Sequence, residues 1–206
     1  MNQPLQFSTP DDREEIARAE VYGLLAQLFY AAPDAELYSQ LQVAPTEAPA
    51  PGAWLEASWS EVVAASRRLA RGAVAQEFDA LFVSIGKPEI FLYASHHIAG
   101  ALNEKPLVAL RDTLREFGLE RAEAMAETED HVAYLCEVMR FLIAGDDLAL
   151  SNLAQQQRFF NAHLRGWAPA MWAQIAAHPR ADFYRALAHF AGEFFAVEGQ
   201  AFDMLE

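Results

Sequence analysis

The sequence predicts an all-α fold: a single globular helical domain, as one body or as two lobes, built from about eight to ten helices. Three observations carry this. Apolar residues recur at helical spacing along most of the chain. Gly, Pro and acidic residues punctuate those runs where helices should start and stop. The one apolar run without helical spacing, Ile90–Tyr93, has no second strand to pair with, and an isolated strand makes no sheet. Hydrophobic residues fill 53 % of the 206 positions, enough for one sizeable core and too few for two independent enzyme-sized domains.

The first helix is expected from Pro10, with Thr9 as cap and Asp11, Asp12, Glu14 and Glu15 at the positive end of its dipole. Ile16, Ala19, Leu24, Leu25, Leu28 and Phe29 form its apolar stripe, and Ala31-Ala32-Pro33-Asp34 stops it. A short helix follows near 35–41. VAPTEAPAPG (43–52) reads as a loop. Helical patterning resumes over 54–72, with Trp59, Val62, Val63 and Leu69, and over 74–83, with Phe78, Leu81 and Phe82.

In SIGKPEIFLYASHH (84–97), Gly86 and Pro88 break the helix, so Ile90, Phe91, Leu92 and Tyr93 fall in an ordered apolar loop. Asn103–Pro106 separates a short helix from one over 107–117, which Gly118 ends as a C′ residue. Thr128 is expected to cap the next helix, whose buried stripe is Val132, Leu135, Cys136, Met139, Leu142 and Ile143 and whose end is Gly145. Helices over 148–165, from Pro169 to Ala177, and over 182–197 complete the chain. No period repeats, so a solenoid is excluded. The domain is expected to span 12–197, with 1–11 and 198–206 as terminal extensions.

Fifteen Lys and Arg against 29 Asp and Glu leave a net charge of −14, which repels phosphate backbones and excludes nucleic acid as a partner. A lone cysteine, Cys136, falls on an apolar helix face and reads as a small buried hydrophobe. MNQPLQFSTPDDREE carries no basic segment followed by an apolar stretch, so no secretory signal is expected. No uncharged run reaches the roughly 18–20 residues that span a bilayer. The expectation is a cytoplasmic protein with no stable membrane insertion.

Motifs for several chemistries are missing: no phosphate-binding glycine loop, no HExxH, no paired cysteines and no GxSxG. His96 and His97 are adjacent, about 100° apart on a helix, and are not placed to chelate one ion together. His163 reads as a satisfied packing residue, and Trp167 and Trp172 as core. ETEDHVAYLCEVM (127–139) is the richest stretch. Thr128, Glu129 and Asp130 read as an acidic, capped first turn. That leaves His131 unexplained, because a cation-capable ring is disfavoured at a helix N-terminus. A catalytic dyad needs a third member, and none is found.

The order of motifs is informative. EFDALF (77–82) leads to GKPEIFLYAS (86–95), then EDH (129–131) opening CEVMRFLI, then FFNAHLRGWAPAMWAQI (159–175), and finally FYRALAHFAGEFF (183–195). This order resembles the TorD/DmsD/NarJ-like family of redox-enzyme maturation chaperones over roughly residues 12–197. The resemblance implies an all-helical protein that is not an enzyme and needs no cofactor. Such a protein binds the twin-arginine signal peptide of a molybdenum oxidoreductase and holds the apo-precursor in the cytoplasm until its cofactor is inserted. FLYASHHIAGALNEKPLVALR (91–111) most resembles the branch found with formate dehydrogenases, rather than the DMSO or TMAO reductase branches.

The resemblance also implies sites. The segment after the EFxxLF-type helix corresponds to Phe78, Leu81, Phe82, Pro88 and Tyr93, and the xDH stretch to Asp130 and His131. Where many members carry proline before the Asp-His pair, this chain carries Glu129, which implies a less rigid joint. The chemistry agrees: a leader with two guanidinium groups and an apolar stretch needs carboxylates beside a greasy groove. Glu127, Glu129 and Asp130 are expected to supply charge, and Phe82, Ile90, Phe91 and Tyr93 the groove. Pro88 and Glu89 lie in the same broken segment, where function concentrates. His131 is expected to donate to a peptide carbonyl or to sense protonation. Either a monomer or a dimer swapped through 118–130 fits. The competing reading is a small all-α metal protein or enzyme using His96, His97, His131 and Glu127.

Overall fold

Pro10 opens α1 (Pro10–Tyr30), the first of ten α-helices among the described residues of the computed structural model, which are 10–47, 55–83, 87–122 and 126–205. The expected Thr9 cap and the second half of the proline-rich segment, 48–52, lie outside them. The others are α2 (Ala35–Val43), α3 (Glu56–Arg68), α4 (Arg71–Phe78), α5 (Ala94–Ala99), α6 (Lys105–Glu116), α7 (Val132–Ala144), α8 (Leu153–His163), α9 (Ala168–Ala177) and α10 (Phe183–Asp203). No strand occurs among the described residues, and the all-α reading holds.

The stripes read from the sequence are the faces that pack. α1 lies along α7, while α10 packs on α9 and α3. Tyr22, Leu25 and Phe29 of α1 and Leu135, Met139 and Leu142 of α7 are buried. Phe29 touches Trp172 of α9 at 5.0 Å between ring centroids and Tyr184 of α10 at 5.8 Å. Burying each such side chain contributes about 1.5–3 kcal/mol. The described apolar residues form one continuous core reached by helices from both ends of the chain, so the fold is one body rather than two lobes. Trp167, Trp172 and Cys136 are buried in it as expected.

Several helix ends differ from the sequence reading. The break between α3 and α4 falls at Leu69-Ala70, and Gly72 lies inside α4. After α4 the chain widens into one π turn, Asp79–Val83. α8 starts at Leu153, not Leu148, because Asp147 accepts from the amide of Ala149 at 2.9 Å and Asn152 caps the helix through Gln155 N at 3.1 Å. α10 runs past Val197 to Asp203, burying Glu198 and Phe202. Residues 198–203 are therefore continuous with the core helix and not a tail. Arg18 holds Glu198 through two bonds of 2.6 and 2.8 Å, and Tyr22 adds its hydroxyl at 3.0 Å.

The C-terminus of α6 behaves as read. Gly118 has φ +67°. Its N–H reaches Arg115 O at 3.1 Å, while Leu119 N reaches Leu114 O at 2.9 Å, the paired bonds of a Schellman cap. Glycine, with no Cβ, takes that φ at no steric cost.

Candidate functional site

The segment after EFDALF is stitched down twice. Ile90 N donates to Leu81 O of the π turn at 3.0 Å. Beyond it Ile90 and Leu92 point inward and are buried, while Phe91 and Tyr93 are half-buried. This alternation is that of extended chain, and it does find a partner. Val132 N donates to Leu92 O at 2.8 Å and Ala94 N to Asp130 O at 3.0 Å, forming one antiparallel bridge between Tyr93 and His131. The irregular turn and the mouth of α7, separate in the sequence, are one joint.

That joint does not follow the expected capping scheme. α7 begins at Val132, and its cap is His131, not Thr128. His131 Nδ1 accepts from Ala133 N at 3.2 Å, which requires a neutral nitrogen there. Burial drives the ring's pKa down to about 4, against the opposing pull of Glu127 and Asp130. A neutral His at a helix N-terminus is no longer a misplaced cation. Thr128 serves differently: its hydroxyl donates to Asp130 Oδ1 at 2.7 Å and its carbonyl accepts from His131 N at 3.0 Å.

Asp130 lies fully inside. Its Oδ2 accepts from Ser95 N at 2.9 Å and from the Ser95 hydroxyl. The side chain expected to meet a guanidinium is thus a buried clamp on the start of α5, and it reaches a ligand only by holding the joint. This network also supplies the order that Glu129, in place of proline, was expected to weaken.

The other acids have partners of their own. Glu129 bonds Arg111 at 2.8 Å and sits 4.0 Å from Arg121. Burial pushes its pKa up, but those arginines bring it below the ordinary carboxylate value. Glu127 accepts from the Tyr93 hydroxyl, and burial together with that carboxylate raises the phenol's pKa. Glu89 is bonded to Arg180, with His178 3.9 Å away. Among the aromatics, Phe82 is half-buried and edges onto Phe78, Tyr184 and Phe29 at 5.3, 5.1 and 6.0 Å, so most of its surface belongs to the core. Phe91 stacks on His96 at 4.0 Å, with the Lys87 ammonium 5.9 Å from its ring. Pro88 is half-buried beside them in sequence.

The metal reading finds no cage. His97 stacks on Trp167 and its Nε2 lies 2.7 Å from Phe91 O, while His131 Nδ1 is taken. Among the described residues no three His, Cys, Asp or Glu side chains gather where an ion could be held. His163 is a packing residue, bonded to Thr113 at 2.9 Å, with its pKa lowered to about 4 by burial and by Arg158.

Two supporting residues were not singled out from the sequence as such. Ser95 is one; a serine opening a short helix was its only signal. Glu77 of EFDALF is the other. Its carboxylate accepts from the amides of Asp182 and Tyr184 at 2.8 Å and Phe183 at 3.1 Å, capping α10 from another helix.

Comparison with known proteins places this architecture first in a class and then in a family. The fold is that of a candidate redox enzyme maturation protein from Archaeoglobus fulgidus, with TM-score 0.61 and 16 % identity over 95 % of this chain and 99 % of that one. Residues 47–173 match the nitrate reductase delta subunit family, more than half of the chain, and the chain belongs to that family. Its relatives include the chaperone protein TorD of Photobacterium profundum, 29 % identical over 55 % of this chain and 56 % of that protein. TorD of Aliivibrio salmonicida is 25 % identical over 59 % and 60 %. The chain thus spans less than two thirds of the length of those two. TorD of Vibrio cholerae serotype O1 is 27 % identical over 91 % of this chain and 93 % of its own. The TorD/NarJ-like resemblance read from the motifs is borne out. Among the described residues no helix is long and apolar enough to cross a membrane.

Proposed function

We propose that this protein is a non-catalytic cytoplasmic chaperone that holds the twin-arginine leader of a molybdoenzyme precursor, of formate dehydrogenase or DMSO/TMAO reductase type, until its cofactor is inserted. One observation carries the reading. The 87–93 segment and the mouth of α7 form a single bonded joint, on which half-buried Pro88, Phe91 and Tyr93 stand with the carboxylates of Glu89 and Glu127. Half-exposed apolar side chains with acids at their edge suit a leader that is basic at one end and apolar beyond it.

The site works by exchange. Glu89 is held by Arg180 in a largely exposed pair, worth about 0–1 kcal/mol, so an incoming guanidinium replaces that arginine at little cost. Glu127 trades the Tyr93 hydroxyl for a charged donor, whereas Glu129, 15 % exposed and bonded to Arg111, stays paired and adds only its field. Phe82 packs into the core on Phe78 and Tyr184, and Asp130 and His131 hold the joint that presents the apolar side chains. The relatives named as TorD chaperones support the same role.

The test is calorimetric titration with a synthetic leader bearing Arg-Arg ahead of its apolar stretch, beside a Gln-Gln version. Binding is expected to weaken as salt rises, and by about tenfold in Glu127→Gln with Glu89→Gln. Binding indifferent to salt and to both changes removes this reading.

A further inference from the structure

Away from the joint, the outer face of α1 lines a trough. Glu14, Ala17, Val21 and Leu24 succeed one another along it at helical spacing. Two clefts, of about 380 and 310 Å³, open on this face and share Ala17, Val21 and Leu55, so they run into one another. The larger is floored by Leu55, Trp59 and Phe190. The Trp59 ring packs on Phe190 at 5.4 Å and is pinned by its indole N–H, which donates to Pro45 O at 2.9 Å. Trp59 thus presents a fixed apolar surface rather than a swinging one.

Charge sets this trough apart from the joint. Glu14, Glu20, Glu47 and Glu56 stand on its walls, and among the described residues none of them joins an ion pair. Arg18, which borders it, is already held by Glu198. At the joint, by contrast, Glu129 and Glu89 have arginine partners and Asp130 is inside. Carboxylates without a cation of their own keep their full attraction for an incoming one, and apolar walls with lower dielectric focus it. From Glu14 to Leu24 the α1 backbone rises about 15 Å, the length of roughly three helical turns.

We propose that this trough docks a basic amphipathic helix of about three turns from a client polypeptide. Its apolar face rests on Val21, Leu24, Leu55 and Trp59, and its Lys or Arg side chains lie over Glu20, Glu47 and Glu56. The surface shares no residue with the leader site and does not depend on it. Helix against helix also suits the apolar α1 positions, whose spacing offers ridges for a second helix to mesh with.

The test uses the whole chain and a synthetic peptide of about 11 residues, Leu and Lys at amphipathic helical spacing, with a Leu/Glu counterpart as control. Binding is followed by anisotropy of a labelled peptide, and each variant is checked for native circular dichroism. Glu20→Lys with Glu47→Lys is expected to weaken the Leu/Lys peptide by about tenfold or more. Glu104→Lys with Asp146→Lys, the same charge change at exposed sites elsewhere, is expected to leave it within about twofold, as is Tyr93→Ala at the joint. Equal weakening by the two charge pairs means attraction to the bulk charge alone and overturns the proposal. So does equal binding of the Leu/Glu peptide, or no binding of either. Leader binding lost in Tyr93→Ala while the Leu/Lys peptide still docks separates the fate of one site from that of the other.

Discussion

Asp130 and Ser95, 35 residues apart in sequence, are bonded twice: Asp130 Oδ2 accepts both the backbone N–H and the hydroxyl of Ser95. This pair, rather than a proline, fixes the loop after EFDALF against the mouth of α7. Both residues are buried, so the contact is measured in stability before it is measured in binding.

Asp130→Ala is expected to destabilise the fold by about 2–4 kcal/mol, because it strands the Ser95 donors and the Thr128 hydroxyl. Ser95→Ala removes one donor and is expected to lose about 1–2 kcal/mol. Since each removes the same contact, the double variant should fall short of the sum by at least about 0.5 kcal/mol. Urea unfolding of the four proteins decides it, and strict additivity would show that the two side chains do not act together.

The buried histidines make stability depend on pH. His131 and His163 have pKa values lowered from 6.5 to about 4 in the fold. As pH falls, the unfolded chain takes up their protons first, so protonation favours unfolding across that window. The histidines' contribution is expected to be full above about 6.5 and to be lost as pH drops towards 4. His131→Asn keeps a side chain that caps helices well but removes one titration. Its urea midpoint between pH 4 and 8 should change less steeply than that of the parent. Parallel curves would mean that His131 is not held neutral.

The end of α10 belongs to the core. A chain stopped after Val197 loses Phe202, which is 1 % exposed, and leaves Arg18 without Glu198. The expected loss is about 3–5 kcal/mol. Glu198→Gln, which keeps the length of the side chain and its hydrogen-bonding capacity, should lose less, about 1–3 kcal/mol. Thermal unfolding of both variants checks this; a truncated chain as stable as the parent would return 198–206 to the status of an appendage.

The helices were legible where period and punctuation agreed. The stripe Val132, Leu135, Cys136, Met139, Leu142 is buried as read, and Gly118 ends α6 with the positive φ its position implies. Reading failed where side chains compete with the backbone or where distant burial overrides a weak local signal. Asp147 and Asn152 delayed α8 by making turns of their own, and Glu198 and Phe202 carried α10 through Gly199 because both are buried against other helices.

The candidate site divides in the same way. Its residue types and their order, a Gly/Pro-broken apolar segment and an acidic Asp-His pair, were visible in the chain. Their assignment to roles was not. Asp130 was read as a surface charge and is a buried clamp; His131 was read as an awkward cation and is a neutral cap. What the sequence determined alone is the all-helical class, the buried faces and the family, since these follow from local spacing and motif order. Which acids remain free to meet a partner was decided only by the tertiary structure. A carboxylate's availability depends on which donors the fold brings against it, and those donors, Ser95 for Asp130 and Arg111 for Glu129, come from distant turns of the chain.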